Sequence, residues 1–393
     1  MSILFEPVML GKAQIRNRFV HSSTYEGLAT QAGEVTGEMV KRCQRLAKGE
    51  VGLVIPGGLY VYPLGRTSRH QTGIHTDDMI PGLKKVVEAV HQEGGRIVFQ
   101  LMHAGGQAKR EVIGRTPLSP SATVRDPVDY RRPKRMTEPQ VREAVRAFGR
   151  AVQRAVEAGA DGIQVHAAHG YLINQFLSPF YNDRRDSWGG SDENRFRFLK
   201  EVIGETKRVI PEGMPLLVKL NVHDYTPQEG ITPPLAVRYA QWLAELEIDG
   251  LETSCGTAFS YMNMCRGDVP VNELLEGLPW WQKPVGRFML NRMVGKYGFQ
   301  EAYNLTAARM IKPVCGKVKL LLVGGLRSVT HMEEIVRAGV VDFVSMSRPF
   351  IREPLLVKRI KRGETDAAAC VSCNKCLAAM VNNMPVRCYY KRP

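Results

Sequence analysis

The stretch that decides the fold is residues 319–349, KLLLVGGLRSVTHMEEIVRAGVVDFVSMSRP. It opens on an apolar run of strand length, 319–323, which ends at two glycines. A segment with helical spacing follows over 330–338, and a second apolar run covers 341–346. Near-continuous apolar strands joined by a helix are typical of parallel sheets that are covered on both faces. The stretch therefore predicts a strand–helix–strand unit of an α/β protein.

The same unit recurs along the whole chain, which predicts a single (β/α)8 TIM barrel with a short Cys-rich C-terminal extension. The predicted strands are 18–22, 52–56, 96–101, 161–166, 215–221, 250–254, 319–323 and 341–346. The helices that follow them are 38–48, 80–92, 138–158, 193–209, 234–246, 300–311, 330–338 and 353–362. A doubly wound sheet is the competing fold, but no strand is followed by a G-x-G-x-x-G turn. We assign the barrel to residues 1–362 and the extension to 363–393, and we expect the segment before Asn17 to cover the bottom of the barrel.

Composition excludes several classes of protein. With 393 residues, 44% of them hydrophobic and 24% charged, the chain is neither a disulfide miniprotein nor a disordered tail. It has no run of eighteen apolar residues and no signal peptide, so we expect a cytoplasmic protein without a membrane partner. The net charge of +15 favours anionic partners such as phosphorylated cofactors or acyl thioesters. We expect no nucleic-acid binding, because no recognised binding module is present. We also expect a homo-oligomer.

Two imidazoles and a phenol follow the fourth predicted strand. In a barrel of this kind the active site lies at the C-terminal ends of the strands. His166 closes that strand, and His169 and Tyr171 come after a short turn. Paired histidines can bind a metal, but this segment offers no nearby acidic or thiol ligand. They can also grip a carbonyl oxygen while the phenol donates a proton, and we favour this interpretation over histidines that are merely buried in the core.

Other strand ends indicate a phosphorylated, heteroaromatic cofactor. The amide of Gln100 suits a ring edge with mixed donors and acceptors, although it could equally cap a loop. Lys219 lies in an apolar strand and needs an anionic partner if it faces inward, which a reduced isoalloxazine ring would provide. The Gly324-Gly325 pair after strand seven and the Ser347-Arg348 pair after strand eight lie where this fold commonly holds a phosphate.

Taken together, these residues resemble the Old Yellow Enzyme family of flavin-dependent ene-reductases (NADH:flavin oxidoreductases). The resemblance is carried by residues 166–179, HAAHGYLINQFLSP, followed by Tyr181-Asn182, WGGS at 188–191 and ENR at 193–195. It extends from LFEP at 4–7 through PLSPS at 117–121 to Arg348, and so covers essentially the whole barrel.

The resemblance implies FMN at the barrel mouth, reduced by NADH or NADPH and reoxidised by an electron-poor alkene such as an enone or an enoyl or dienoyl ester or thioester. It implies that His166 and His169 bind the substrate carbonyl oxygen, and that Tyr171 protonates the α-carbon while hydride passes from the flavin to the β-carbon. The implied cofactor-binding residues are Ser22, Ser23, Thr24, Tyr25, Gly58, Gln100, Lys219, Gly325, Ser347 and Arg348.

Three of these positions depart from the common pattern of the family. Tyr25 stands where relatives usually carry Thr, Cys or His. Lys219 replaces the usual Arg, which gives a point charge in place of a planar fork. Ser347 replaces a frequent Gly.

Four cysteines crowd the end of the chain in the pattern Cys370-x2-Cys373-x2-Cys376-x11-Cys388. Four thiolates at such spacing can enclose a [4Fe-4S] cluster or a zinc ion. The segment resembles the one that follows the barrel in the branch containing 2,4-dienoyl-CoA reductases and trimethylamine dehydrogenase. A working cluster with a redox partner protein, a structural metal, a remnant with reduced thiols and redox disulfides all remain open.

Two alternatives to ene reduction also remain open. A flavin/iron-sulfur electron-transfer subunit is favoured by the four-cysteine tail. An amine-oxidising demethylase of the same fold would need substrate contacts that favour a cation over a carbonyl.

Overall fold

The computed structural model describes residues 2–127 and 130–390, and its main feature is a closed barrel of eight parallel strands. The strands are β1 (Phe19–His21), β2 (Leu53–Val54), β3 (Arg96–Met102), β4 (Gly162–Ala167), β5 (Leu216–Asn221), β6 (Gly250–Ser254), β7 (Lys319–Val323) and β8 (Phe343–Met346). Each strand pairs with its neighbours in chain order, and β8 also pairs with β1, which closes the barrel. The pairing of Leu53 with Arg96 joins β2 to β3. The predicted (β/α)8 fold is therefore confirmed.

Eight helices surround the strands, in the predicted order. They are α1 (Gly37–Lys48), α2 (Ile80–Gln92), α3 (Glu138–Glu157), α4 (Asp192–Lys207), α5 (Pro233–Glu245), α6 (Leu305–Ile311), α7 (Val329–Arg337) and α8 (Leu356–Lys361). Local sequence fixes several of their starts. The Thr36 hydroxyl accepts from the backbone N–H of Met39 at the start of α1, and Ser328 does the same for His331 at the start of α7.

Two helices begin later than predicted, and both differences have local causes. Helix α6 begins at Leu305 rather than near residue 300, because Ala302 adopts a left-handed conformation with φ of 51° that no helix can continue. Helix α8 begins at Leu356 rather than at 353. Glu353 precedes Pro354, and its φ of −132° and ψ of 79° lie outside the helical region.

The chain also forms shorter strands and helices outside the eight repeats. They are the strands Val8–Leu10, Ala13–Ile15, Leu59–Tyr60, Leu118–Ser119 and Lys134–Arg135, and the helices Arg110–Ile113, Leu172–Leu177, Tyr261–Met264, Val271–Leu275, Lys283–Asn291, Arg348–Arg352 and Lys375–Val381. Within the described ranges, no helix is long and apolar enough to cross a membrane.

The N-terminal segment closes the bottom of the barrel, as predicted. Strands Val8–Leu10 and Ala13–Ile15 form an antiparallel pair, and the N–H of Lys12 donates to the carbonyl of Gly213, just before β5 begins. Their apolar side chains join a separate cluster inside the barrel. Its buried members are Val8, Leu10, Ile15, Val20, Leu53, Ile55, Val98, Leu217, Leu321 and Phe343. This apolar plug keeps water out of the lower half of the barrel and forms the floor beneath the polar residues described next.

Candidate active site at the barrel mouth

The structure brings the two predicted histidines and the tyrosine together. The His166 ring centroid lies 5.0 Å from that of His169 and 5.1 Å from that of Tyr171, and all three rings meet edge to face. His166 belongs to β4, while His169 follows it in a left-handed conformation with φ of 64°. This turn aims both rings at one volume.

Residues from neighbouring loops hold this turn in place. The N–H of His169 donates to Asn221 Oδ1 over 3.2 Å, and Gln107 Nε2 donates to the carbonyl of His169 over 2.8 Å. Gly170 donates to Asn174 Oδ1, and Asn174 in turn donates to the buried carboxylate of Asp224. Sequence reasoning missed these supporting residues, because nothing in their local sequence shows that they converge on one turn.

Burial sets the protonation states of the three side chains. It lowers the pKa of His166 and of His169 well below the usual histidine range, and the charge of Lys219 acts in the same direction. Burial, followed by the nearby phenol of Tyr25, raises the pKa of Tyr171 to about 12. At neutral pH the site therefore presents two uncharged imidazoles and one protonated phenol.

The free nitrogens of the histidines show where a ligand could bind. His169 Nε2 lies 2.7 Å from the hydroxyl of Ser254 at the end of β6. If that hydroxyl donates to Nε2, the ring proton is left on Nδ1. His166 Nδ1 is buried and has no hydrogen-bond partner in the described structure. Since a buried polar atom without a partner is costly, this nitrogen is suited to a bound ligand.

Beside His166, which is in register with Lys219, six polar side chains form a connected layer across the barrel interior, which we call the polar layer. Ser23 Oγ lies 2.9 Å from Gln100 Oε1, Gln100 Nε2 donates to Gln164 Oε1 over 2.7 Å, and Gln164 Nε2 donates to Glu252 Oε2 over 3.0 Å. Lys219 Nζ completes the layer, at 3.3 Å from Glu252 Oε2 and 2.8 Å from Ser22 Oγ. The layer therefore links four of the predicted cofactor-binding side chains, Ser22, Ser23, Gln100 and Lys219, through Gln164 and Glu252.

The structure corrects the expectation for Lys219 in one respect. Lys219 faces the barrel interior. Its anionic partner, however, is a residue of the protein, the fully buried Glu252, whereas the reduced flavin ring was the partner expected from the sequence. The same signal was present in the sequence, since Glu252 is a charged residue within the short predicted strand 250–254. The rule that a charged residue in a buried strand needs an oppositely charged partner was applied to Lys219 but not to Glu252 in β6.

The other predicted cofactor-binding residues near β1 and β2 also lie at the mouth. Thr24 Oγ1 is 2.7 Å from Ser347 Oγ, which joins the loops after β1 and β8. Burial raises the pKa of Tyr25, so its phenol also stays protonated at neutral pH. Gly58 has a packing reason to be glycine, because a Cβ there would lie 2.6 Å from Met102 Sδ and 2.9 Å from Gln100 Oε1.

The predicted phosphate-binding residues lie after β7 and β8. Gly325 adopts a φ of 74°, and a Cβ there would lie 2.3 Å from the carbonyl oxygen of Gln300, so the position requires glycine. Arg348 uses one nitrogen, Nη1, to donate to the carbonyl of Arg266 over 3.0 Å and to Asn374 Oδ1 over 2.5 Å. Within residues 2–127 and 130–390, its Nε and Nη2 make no hydrogen bond and remain free to bind an anion.

The Cys-rich segment packs beside this arginine. Cys370, Cys373, Cys376 and Cys388 line one small pocket together with Arg348 and Arg352. Asn374, in a left-handed conformation, anchors the segment by donating to the carbonyls of Cys265 and Asp268. The four thiols therefore share a pocket, although no three His, Cys, Asp or Glu side chains in the described ranges lie close enough to hold a metal ion as the structure stands.

Comparison with known proteins identifies the family. Residues 3–266 match the model of the NADH:flavin oxidoreductase / NADH oxidase family. The chain belongs to this family. Membership confirms the predicted resemblance to Old Yellow Enzyme and makes the chain an FMN-dependent oxidoreductase with a nicotinamide reductant. The matched residues end before the Cys-rich segment.

Individual relatives of this FMN oxidoreductase differ in name and in length. It is 31% identical over 379 residues to the 4,4'-dithiodibutanoate disulfide reductase of Rhodococcus erythropolis, covering 95% of this chain and 92% of that one. It is 34% identical over 354 residues to the NADPH dehydrogenase of Geobacillus sp. WCH70, covering 90% and 92%. A metal reductase of Desulforamulus reducens is 28% identical over 391 residues, but the 99% of this chain that matches covers only 53% of that protein.

Solved structures share the fold of the FMN oxidoreductase. A 2-naphthoyl-CoA reductase in complex with 2-naphthoyl-CoA superposes with a TM-score of 0.85 and 24% identity, over 98% of this chain and 56% of that one. An Old Yellow Enzyme homologue from Zymomonas mobilis gives a TM-score of 0.75 and 24% identity, over 94% and 95%. The chain thus spans about half the length of some relatives and nearly the full length of others.

Proposed function

We propose that this FMN oxidoreductase reduces activated carbon–carbon double bonds, in enones or in enoyl or dienoyl esters and thioesters, at the expense of NADH or NADPH. The observation that carries the proposal is the convergence of His166, His169 and Tyr171 on one volume at the barrel mouth, where His166 is buried and the other two side chains are partly buried. Two neutral N–H donors beside a protonated phenol suit a carbonyl oxygen conjugated to an alkene.

The residues at the mouth fit FMN. After the hydrogen bonds described above, Lys219 Nζ keeps one proton, and the Gln100 amide keeps one N–H and an oxygen lone pair. We therefore propose that these two side chains meet the ring edge, with Ser22, Ser23, Thr24, Tyr25 and Gly58 beside them. Gly325, Ser347 and the free nitrogens of Arg348 would hold the phosphate. When bound, FMN supplies the redox chemistry, taking hydride from the nicotinamide and delivering it to the β-carbon of the alkene.

The protein side chains would activate the substrate and supply the proton that completes its reduction. Hydrogen bonds from His166 and His169 to the carbonyl oxygen would withdraw electron density from the double bond and stabilise the negative charge that develops there. The Tyr171 hydroxyl would then give its proton to the α-carbon. Because burial keeps both imidazoles neutral, their strength as donors does not depend on pH in the neutral range.

The proposed substrate class is supported by the charge of this chain, and a fold neighbour is consistent with it. A basic protein of net charge +15 suits an anionic substrate such as an acyl thioester, and a 2-naphthoyl-CoA reductase shares its fold. Histamine dehydrogenase also shares the fold, with a TM-score of 0.82 and 22% identity. We nevertheless favour the carbonyl, because the mouth presents N–H donors and the cation of Lys219, a setting that would repel an amine cation.

Replacing Tyr171 with Phe should slow alkene reduction at least about 10²-fold, the usual contribution of a proton donor, while flavin reduction by NADPH changes little. Stopped-flow measurement of the two half-reactions separates these effects. Tyr239→Phe is the matched control, because its buried hydroxyl donates to the carbonyl of Leu177 on the outside of the barrel. The wild-type alkene step should be flat between about pH 6 and 9, since the pKa of Tyr171 is near 12. Equal losses in both half-reactions of Tyr171→Phe would exclude the proton-donor role.

Replacing His166 and His169 together with Ala should weaken binding of a phenolate-forming inhibitor by at least about 10²-fold, because two donors to its oxygen are lost. Spectral titration of the FMN-loaded protein measures this affinity. His91→Ala serves as a control, since that ring contacts Asp161 just before β4, at the opposite end of the barrel from the mouth. Unchanged inhibitor affinity in the double variant would refute the proposed carbonyl site.

We further propose that residues 363–393 form an extension of the 1–362 barrel that holds a [4Fe-4S] cluster, with Cys370, Cys373, Cys376 and Cys388 as ligands. The proposal is supported by their shared pocket and by the basic side chains of Arg348 and Arg352, which suit an anionic thiolate cluster. Such a cluster would pass electrons to or from a partner protein.

Protein purified without oxygen should then contain about four irons and four sulfides per chain. Cys373→Ser should lose them, whereas Cys315→Ser, which alters a buried thiol beside α6, should not. Equal and negligible iron in all three proteins would leave the segment as a structural or zinc-binding extension, and zinc quantitation on the same samples separates those two cases.

A further inference from the structure

Lys219, which we place beside the FMN ring, also forms a buried ion pair with Glu252. We propose that Glu252 is a positioning residue that holds the Lys219 ammonium group at the edge of the FMN ring and offsets part of its positive charge, so that the reduction potential of bound FMN is lower than Lys219 alone would set it. This inference rests on the proposed placement of FMN beside Lys219, and it concerns a residue to which neither the sequence motifs nor the family resemblance gives a role.

The two residues lie directly opposite each other on adjacent strands. In the parallel pairing of β5 with β6, Lys219 is in register with Glu252, so that both side chains enter the barrel at the same level. Their side chains are 3% and 0% exposed, and Nζ lies 3.3 Å from Oε2. A carboxylate this deeply buried stays ionised only if it is paired with a cation. Each charge therefore depends on the other.

Neighbouring contacts fix where the ammonium group points. Lys219 Nζ also donates to Ser22 Oγ, so the lysine is held from two sides. Gln164 Nε2 holds the same oxygen of Glu252 that Lys219 contacts, and Gln164 is bonded to Gln100. Glu252 is thus the link between the two side chains that we place on the FMN ring edge, Lys219 and Gln100.

The negative charge of Glu252 is only partly compensated by its hydrogen-bond partners. Its other oxygen, Oε1, is buried and has no hydrogen-bond partner in the described structure. With only part of its charge satisfied, Glu252 offsets the positive charge that Lys219 presents to the ring. A reduced flavin carries more negative charge than an oxidised one, so removing Glu252 favours the reduced state.

The experiment measures the two-electron reduction potential of FMN in the holoprotein, by equilibration with reference dyes. Glu252→Gln should shift the equilibrium at least tenfold toward reduced FMN, which corresponds to about +30 mV. Glu252→Asp keeps the charge and should restore most of the wild-type potential. Asp161→Asn is the control. It removes a carboxylate that binds His91 and Arg96 at the bottom of the barrel, and it should leave the potential unchanged.

A double variant tests whether Glu252 acts through Lys219. In a Lys219→Gln background there is no ammonium group for Glu252 to hold or to offset, so adding Glu252→Gln should change the equilibrium less than twofold. A tenfold effect that persists without Lys219 would overturn the positioning role, as would an unchanged or lowered potential in Glu252→Gln.

Poor folding of Glu252→Gln does not prevent the test. Glu252→Ala removes the same carboxylate and should then shift the potential in the same direction, and no shift in that variant would overturn the proposal. Failure of the wild-type protein to hold FMN at the mouth is a separate result, visible in its absorption spectrum, and would count against the proposed function itself.

Discussion

The candidate site depends on the ion pair between a lysine and a glutamate that are buried together inside the barrel. Removing one partner from such a pair typically costs about 3–5 kcal/mol, because the other charge is left uncompensated. Lys219 and Glu252 are kept in register by the pairing of β5 with β6, and they are tied to β1, β3 and β4 through Ser22, Gln100 and Gln164. The pair therefore connects the polar layer across the barrel and fixes the level at which a ring can sit.

Exclusion of water from the barrel controls the chemistry above this layer. The apolar plug closes the barrel from below, and the surrounding helices cover its outer face. The same desolvation lowers the pKa of His166 and His169 and raises that of Tyr171. One environment thus produces the neutral donors that we propose for a carbonyl oxygen and the protonated phenol that we propose for the α-carbon. In water these groups would be weaker donors, because solvent would compete for every hydrogen bond.

Much of the fold could be predicted because each strand–helix unit carries its own apolar pattern. The convergence of His166, His169 and Tyr171 could be predicted for a similar reason, since all three lie within six residues at the end of one strand. Glu252, Gln164, Ser254 and Asn221 were missed because their roles arise only when separate strands are brought side by side. The contacts of Arg348 with Asn374 and Arg266 were equally hidden, since they join segments that are distant in sequence.

The most direct test of the account is an anaerobic absorption spectrum of the purified protein during sequential additions. FMN bands should bleach when NADPH or NADH is added, and they should return when an enone or an α,β-unsaturated thioester follows, with one saturated product formed per flavin reoxidised. If the bands bleach but no activated alkene restores them, while a disulfide or a one-electron dye does, the ene-reductase account is contradicted.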